Sequence, residues 1–379
     1  AAALLAAARK PLAIAGAGAA CGSATRGLWR LANELGVPVA ANGLGRGALP
    51  EDGERSFSWP FAQIAAHEAD CVLVVGSRLT QRMGFGLPPR FSPQARFIQV
   101  DVHAEESHRN RPIDVFLHAA AGPALEALCD ALAAAKPDSA RADWLARSLA
   151  PRRERVASIA TTPAAAIHPL RLGRMLMERL PADAVYVGDG ADIQNWMYGV
   201  ISIRRERGFL DHYPMGSMGI GTPLAVGAAA ALADAARESG DSRPPPVVLV
   251  TGDGSVGFLP AELHAAARAG LRLVVIVGND GAWGTEVHEQ QRAIGRTINT
   301  ELGVLPYERV AQGFGCIGLR AESEAELGSA LDEAFAADGP VLINAVIDPA
   351  AGAQLKADPL LRMILFSDLA DGQRALQQA

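Results

Sequence analysis

The sequence predicts an α/β protein built from two doubly wound, parallel-sheet domains. The main observation is that two long blocks, residues 1–135 and 166–350, repeat the same order of apolar strand, glycine-rich turn and helix. Hydrophobic residues make up 49% of the 379 positions but aromatic residues only 5%, and 39 glycines are present. Such a composition suits closely packed helix and sheet layers better than an all-β sandwich.

The first block, interpreted as a central Rossmann-like domain, begins with a strand–helix–strand unit. The apolar run LAIAG at 12–16 is followed by a glycine-rich turn, by a helix that ends at Gly36, and by the strand VPVAA. Two strands joined through a helix imply parallel pairing with a right-handed crossover. The runs ADCVLVVGSRL and ARFIQVDV predict further strands, and the helix GPALEALCDALAAA closes the block near residue 135.

The rest of the chain divides into a linker, a second block and a tail. Residues 136–165 are rich in Pro, Ser, Arg and Ala, and we expect a helical linker there. The block 166–350 starts with a helix whose apolar residues recur every three or four positions, and it contains the apolar strands PPVVLV, LRLVVIV and GPVLINAVID. The apolar tail, 351–379, is interpreted either as a lid over the active site or as a segment that packs on a neighbouring domain.

Charge and cysteine content argue against several classes of function. The net charge is -6 and no long Lys/Arg stripe occurs, which disfavours nucleic acid as the main partner. No apolar run reaches the roughly 18 residues that a membrane span requires. The four cysteines are scattered singly without a C-x-x-C pair, so they indicate neither a zinc site nor a disulfide framework. We therefore expect free thiols and a cytoplasmic protein.

Two polar residues lie at the ends of two strands in the second block. Asp253 stands between Gly252 and Gly254 directly after the first strand, and Asn279 comes just after the second. Ligands of open parallel sheets bind at the carboxyl ends of strands, and glycine turns expose N–H groups that suit phosphate. Carboxylate and amide oxygens are typical Mg²⁺ ligands. The pattern predicts a magnesium ion bridging to a diphosphate; the alternative is a pair of ordinary strand-end turns.

The glycine-rich turn of the first block leaves two interpretations open. Gly16 and Gly18 follow a strand, as in a dinucleotide-binding turn, but Cys21 occupies the third glycine position of that fingerprint. Asp101, at the end of a later strand, could accept hydrogen bonds from a ribose, and Arg78 follows another strand. Alternatively, the glycines only permit a tight strand-to-helix turn.

The motif of the second block resembles the coenzyme-binding motif of thiamine diphosphate-dependent enzymes, the family of acetolactate synthase, pyruvate decarboxylase, oxalyl-CoA decarboxylase and 2-hydroxyacyl-CoA lyase. GDGS is separated from Asn279 by 23 residues. The resemblance implies that Mg²⁺ is bound by Asp253, by the Asn279 side chain and by the Gly281 carbonyl. Four residues would lie at the metal and diphosphate: Gly252, Asp253, Gly254 and Ser255. Gly278 replaces the first residue of the family's usual Asn-Asn pair and leaves the ligand position intact.

Two further stretches carry the same resemblance. MGSMGIGTPLAVGAA resembles the segment that holds the aminopyrimidine ring, which implies cofactor contacts from Gly216 and Ser217. Met218 would press between the two coenzyme rings, a role that suits an unbranched, polarisable side chain, although plain core filling is the alternative. VGDGADIQNW resembles the loop that reaches the diphosphate from the other side, so the cofactor neighbours implied there are Gly190, Ala191 and Asp192.

The first block resembles the central domain of the same family, which holds FAD in some members, ADP in others and nothing in many. The family normally begins with another α/β domain, whose glutamate acts on the coenzyme of a partner subunit. No such domain is recognisable before residue 1, so we expect a truncated protein whose site is completed in a homodimer or homotetramer. On that expectation the fragment alone is inactive.

The resemblance implies that bound thiamine diphosphate breaks or forms C–C bonds. Acetolactate synthase-like action on 2-oxoacids is expected first. A 2-hydroxyacyl-CoA lyase or oxalyl-CoA decarboxylase-like enzyme acting on acyl-CoA, with CoA contacts, is the alternative, and a non-catalytic cofactor-binding subunit is a third. In GAWGTEVHEQQ, Trp283 would wall the substrate pocket, while Glu286 and His288 would handle protons; exposed helix residues are the competing interpretation of the last two.

Overall fold

Two compact units make up the described chain. The computed structural model describes residues 1–59, 61–62, 66–133, 139–161, 166–213, 215–241 and 243–353. The first unit contains residues 1–155 and 202–209, and the second contains the remaining described residues. Of the tail predicted at 351–379, everything beyond residue 353 lies outside the described residues.

A six-stranded sheet forms the centre of the first unit. Its strands are β1 (Pro11–Ala15), β2 (Val39–Ala41), β3 (Ser56–Ser58), β4 (Cys71–Val75), β5 (Arg96–Asp101) and β6 (Val115–His118). Their order is β3-β2-β1-β4-β5-β6, and the neighbours pair in parallel. β1 and β4 are buried at every position, as expected for strands covered on both faces.

Helices flank this sheet, and one of them occupies much of the predicted linker. The helices are α1 (Ala2–Ala7), α2 (Ala17–Cys21), α3 (Thr25–Asn33), α4 (Ala121–Leu132) and α5 (Ser139–Thr161). Leu28 and Leu31 of α3 are buried in the same apolar cluster as Leu125 of α4. In α5, the buried Trp144 donates a hydrogen bond of 3.3 Å to the carbonyl of Pro11, which attaches this part of the helix to β1.

A buried ion pair holds the segment 202–209 within the first unit. Arg46 donates hydrogen bonds to both carboxylate oxygens of Glu51, at 2.9 and 2.6 Å. The guanidinium lies over the Phe209 ring, 4.7 Å from its centroid, and Glu51 also accepts from the backbone N–H of Ile203 at 3.0 Å. Because both charges are buried, removing one partner would leave the other uncompensated.

The second unit contains another six-stranded sheet. Its strands are β7 (Val185–Gly188), β8 (Phe209–Asp211), β9 (Val247–Gly252), β10 (Leu273–Asn279), β11 (Ile317–Ala321) and β12 (Val341–Val346). Their order is β11-β12-β10-β9-β7-β8, with parallel pairing from β11 through to β7. The predicted fold class, α/β with two parallel-sheet domains, is confirmed.

The helices of the second unit are α6 (Pro169–Met177), α7 (Asp192–Tyr198), α8 (Gly221–Ser239), α9 (Asp253–Val256), α10 (Glu262–Arg268), α11 (Gly284–Ile294), α12 (Tyr307–Gly313) and α13 (Glu324–Ala336). α8 ends where Gly240 takes a left-handed conformation with φ of 81°. Within the described part of the chain, no helix is both long and apolar enough to cross a bilayer.

Candidate functional site

A cleft opens at the carboxyl ends of β7, β9 and β10. The turns after these strands meet there because the three strands are neighbours in a parallel sheet. Ten of the residues singled out from the sequence line the cleft: Gly190, Ala191, Asp192, Met218, Gly252, Asp253, Gly254, Ser255, Trp283 and Glu286. The sheet thus brings together segments that are far apart in the sequence.

Asp253 is the buried carboxylate of this cleft. It follows β9 directly, and its Oδ1 accepts a hydrogen bond of 2.8 Å from the N–H of Gly254. Its Oδ2 is buried and has no hydrogen-bond partner among the residues that the structure describes. Burial raises the pKa of Asp253 to about 6, against the lowering effect of nearby backbone N–H groups. A buried carboxylate oxygen without a donor is suited to bind a cation.

The Asn279 side chain is fully buried and held in one orientation. Its Nδ2 donates to Asn344 Oδ1 at 2.9 Å and to the carbonyl of Leu305 at 3.0 Å. Its Oδ1 accepts only the N–H of Gly281, at 3.2 Å, among the hydrogen bonds of the described residues. Since an amide oxygen has two lone pairs, one acceptor position of Asn279 is left for a further partner.

Gly281, the third predicted metal ligand, lies in the turn after β10 with its carbonyl engaged. That oxygen accepts hydrogen bonds from the N–H groups of Leu302 at 2.7 Å and Gly303 at 2.9 Å. The described residues contain no group of three or more His, Cys, Asp or Glu side chains arranged to hold a metal ion. Of the three predicted ligands, Asp253 lines the cleft, whereas Asn279 and Gly281 are not among its lining residues.

Asp280, in the turn after β10, adds a second acid to the cleft. It lines the cleft, and burial, followed by the charges of Asp253 and Asp192, raises the pKa of its carboxyl group to about 7. With Asp192 and Glu286, four carboxyl groups line the cleft. Their mutual repulsion favours a bound cation.

Asp189 connects the turn after β7 to the segment that carries Met218. It is fully buried, and its carboxylate accepts hydrogen bonds from the N–H groups of Gly190 at 2.7 Å, Gly219 at 3.1 Å and Gly221 at 3.0 Å. This contact places Met218 at the cleft. Gly216 and Ser217, on the same segment, are exposed and are not among the lining residues.

Close packing explains two glycines of the cleft. A Cβ added at Gly254 would overlap the ring of Trp283, lying 2.8 Å from both Cε3 and Cη2. A Cβ added at Gly278 would lie 2.8 Å from Cδ1 and Cγ1 of Ile193. The family resemblance leads one to expect Asn at position 278. Gly is present instead because Ile193 occupies the space that the Asn side chain would need.

Helix α11 begins at the cleft and carries the remaining predicted residues. Trp283 precedes its first residue and lines the cleft together with Glu286, which is exposed to solvent. His288 is not among the lining residues, and its Nε2 lies 3.0 Å from Asp192 Oδ1. The two residues predicted to handle protons are thus placed differently: Glu286 at the cleft and His288 against Asp192.

Comparison with protein families agrees with this arrangement. Residues 189–345 match the family model described as thiamine pyrophosphate enzyme, C-terminal TPP binding domain, and residues 1–128 match the model described as thiamine pyrophosphate enzyme, central domain. The chain belongs to the thiamine pyrophosphate enzyme family.

Several relatives of this member of the family are curated proteins. A probable acetolactate synthase of Mycobacterium bovis is 31% identical over 353 residues, which is 92% of this chain and 61% of the relative. A 2-hydroxyacyl-CoA lyase of Oryza sativa subsp. japonica is 32% identical over 371 residues, covering 93% of this chain and 62% of the relative. The human 2-hydroxyacyl-CoA lyase 1 is 28% identical over 363 residues. The chain spans about three fifths of the length of these relatives.

The nucleotide-binding candidates of the central domain lie at the carboxyl ends of β1, β4 and β5. A Cβ at Gly16 would lie 2.5 Å from Ser77 Cβ, and one at Gly18 would lie 2.8 Å from the Cα of Gly76, so these turns pack against each other. The exposed Arg78 pairs with Glu106 at 3.1 Å. Asp101 accepts a hydrogen bond of 3.0 Å from the N–H of His103.

Sequence reasoning missed four residues of the candidate site. Asp189 had a visible signal, since G-D-G at 188–190 repeats the pattern at 252–254, and Asp280 is the acid next to Asn279. Asn344 interrupts the apolar strand β12, which also could have been noticed. The packing of Ile193 on Gly278 had no signal, because it joins residues that are distant in the sequence.

Proposed function

We propose that this chain forms the thiamine diphosphate- and Mg²⁺-binding part of an enzyme that makes or breaks C–C bonds of 2-oxoacids, in the manner of acetolactate synthase. The observation that carries the proposal is the cleft at Asp253, where a buried carboxylate oxygen has no donor among the described residues. Asp253 and Asn279 directly follow Gly252 and Gly278, which are paired on neighbouring strands. This is the chemistry that Mg²⁺ with a diphosphate requires.

The residues around this carboxylate fit the coenzyme's diphosphate. Gly190 has φ of 83°, and a Cβ there would lie 3.1 Å from the Gly252 nitrogen and 3.2 Å from Ser255 Oγ, so only glycine lets the two turns approach. We propose that Gly190, Ala191, Gly254 and Ser255 contact the diphosphate, and that Asp253 and Asn279 hold the ion. Gly216 and Ser217 would contact the coenzyme's aminopyrimidine end.

When bound, the coenzyme supplies a thiazolium ring that adds to a carbonyl and accepts the electron pair of the breaking C–C bond. The chain's own residues bind and shield it. Met218, Ile193 and Trp283 give the cleft apolar walls that exclude water. Glu286 is exposed at the cleft. We propose that it gives a proton to a substrate oxygen or takes one from it.

A second candidate function is supported by one specific observation. The 2-hydroxyacyl-CoA lyase relative is as similar to this chain as the acetolactate synthase relative, at 32% against 31% identity. A substrate screen of the full-length protein separates the two. Acetolactate formed from pyruvate supports the first function, whereas condensation of formyl-CoA with an aldehyde or ketone supports the second.

Partners are also part of the proposal. The relatives are longer than this chain, and we propose that the protein works as a homo-oligomer in which an N-terminal domain of a partner subunit completes the site. Sedimentation of the full-length protein with and without coenzyme tests this, and a monomer that turns over substrate would contradict it.

Coenzyme binding itself is tested by thermal unfolding of the apoprotein with thiamine diphosphate and Mg²⁺. A hundredfold excess over Kd stabilises by about 2.7 kcal/mol, which corresponds to an increase in Tm of roughly 5–10 °C for a unit of this size. The increase in Tm should be absent in Asp253→Asn, and it should also be absent when EDTA chelates the Mg²⁺. Asp234→Asn, at an exposed position of α8, is the matched control and should retain it. No increase in the wild-type protein would contradict the proposal.

A further inference from the structure

A histidine–aspartate pair joins helix α11 to the start of α7. His288 Nε2 lies 3.0 Å from Asp192 Oδ1, and both side chains are largely buried. Trp196 Nε1 donates a hydrogen bond of 3.0 Å to the other carboxylate oxygen, Asp192 Oδ2. The Asp192 carboxylate is therefore held from two directions, by a side chain of its own helix and by one of α11.

Close packing fixes the imidazole ring in this position. A Cβ added at Gly352, in the 3₁₀ turn Ala351–Ala353, would overlap the His288 ring and lie 2.5 Å from Nε2. At the start of α11, a Cβ at Gly284 would lie 3.0 Å from the Cβ of Asp192, so a larger residue would hold the two segments apart. The pair is part of the packing at this edge of the cleft.

Among the described residues, the charged groups that act on His288 are acidic. Asp192 faces it from α7, Asp280 from the turn after β10 and Glu289 from its own helix, whereas the turn 351–353 has no charged side chain. Asp192 lines the cleft in which the diphosphate is proposed to bind. Two anionic groups in a poorly solvated cleft repel each other strongly unless a cation compensates one of them.

We propose that His288 is a positioning residue whose imidazolium neutralises Asp192, and that this pair allows a diphosphate to bind beside Asp192 while it fixes α11 against the coenzyme-binding turn. The inference rests on the proposed function, since the diphosphate is that of the proposed coenzyme. It assigns His288 to coenzyme binding rather than to proton transfer in the reaction, which is left to Glu286 at the cleft.

The protonation state of His288 supplies a readout. Burial alone lowers the pKa of His288, but the hydrogen bond and charge of Asp192, followed by the charges of Asp280 and Glu289, outweigh burial and raise it. His288 is thus charged up to a pH above the ordinary histidine value of about 6.5. Affinity that depends on the imidazolium is fully present below that value and is lost as the pH rises through the raised pKa.

The experiment measures the Kd of thiamine diphosphate with Mg²⁺ by calorimetry, using the full-length apoprotein, from about pH 6 to about pH 9. At the acid end, His288→Gln should bind about fivefold or more weakly than wild type. At the alkaline end the Kd values of the two proteins should become equal. Titration of other groups affects both proteins alike, so the difference between them reports His288. His264→Gln, at an exposed histidine of α10, is the matched control and should bind like wild type.

Two further variants separate charge compensation from a general loss of structure. Asp192→Asn combined with His288→Gln removes both charges and should recover most of the lost affinity, which a damaged fold would not. Gly352→Ala keeps the imidazole but displaces its ring, and should weaken binding as His288→Gln does.

Three results would overturn the inference. If wild type binds the coenzyme and His288→Gln has the same Kd across the pH range, the inference fails and the proposed function stands; if wild type does not bind, both fail. Independently of the coenzyme, the ring proton of His288 is followed by NMR in the ligand-free protein. Its pKa should lie above the ordinary histidine value and fall in Asp192→Asn; equal values would rule out the pair.

Discussion

The two glycines on either side of Asp253 are expected to respond differently to the same substitution. In Gly254→Ala, the new methyl group would overlap the Trp283 ring, with Cε3 and Cη2 at 2.8 Å. In Gly252→Ala, the nearest atom is Ile193 Cγ2 at 3.8 Å, which is an ordinary contact, and φ of -83° with ψ of 160° is accessible to alanine. The sequence motif alone gives no reason to expect different effects of the two substitutions.

The expected magnitude follows from these contacts. Overpacking that displaces a neighbouring side chain costs about 1–3 kcal/mol, whereas replacing glycine by alanine at a compatible position stabilises by about 0.4–1 kcal/mol through the unfolded state. The stabilisation through the unfolded state is common to both variants. The free energy of unfolding of Gly254→Ala should therefore fall below that of Gly252→Ala by about 1–3 kcal/mol.

Urea unfolding of the apoproteins, followed by circular dichroism, measures this difference. Tryptophan fluorescence of the native state gives a second signal, because Trp283 should move only in Gly254→Ala. Equal stability of the two variants, together with unchanged fluorescence, would refute the reasoning and show that the ring moves aside without cost. Coenzyme affinity is compared in the same samples, since Trp283 walls the cleft.

Two further substitutions test other contacts by urea unfolding. In Gly221→Ala the new methyl group would overlap the Cβ of Asp189 and lie 2.8 Å from its Cγ, so this variant should be less stable than wild type. In Gly227→Ala, on the same helix, the methyl group meets nothing within 4 Å, so the free energy of unfolding should rise by up to about 1 kcal/mol. A stability change of the same sign in both variants would contradict this expectation. Arg46→Ala leaves Glu51 as a buried, unpaired charge and should cost about 3–5 kcal/mol; a loss below about 1 kcal/mol would mean that water reaches the pair.

The fold class could be predicted from sequence because the information is local. Each apolar run that is followed by a glycine turn and a helix predicts one strand. Parallel pairing of these strands follows from the helical connections between them. The candidate cleft was predictable for a related reason: Asp253 and Asn279 stand at strand ends, and the carboxyl ends of parallel strands share one edge.

What could not be predicted depends on contacts between distant segments. The orientation of the Asn279 amide is set by Asn344, and the replacement of an expected Asn by Gly278 is explained only by Ile193. His288 was assigned a chemical role from its position after Trp283, but its partner, Asp192, lies on another helix. Side-chain direction of this kind is a property of packing and has no signature in a single sequence.

The strand order of the second unit has a consequence for how the protein folds. The cleft draws on residues between 190 and 347, and the three strands that frame it are adjacent in space while separated by long connections. Sheets of such non-local pairing form slowly, after much of the chain has been ordered. A ligand of this cleft cannot nucleate folding, because no short segment contains its contacts. A bound ligand would instead stabilise the folded unit as a whole. It would slow hydrogen exchange throughout the sheet rather than at the bound turns alone.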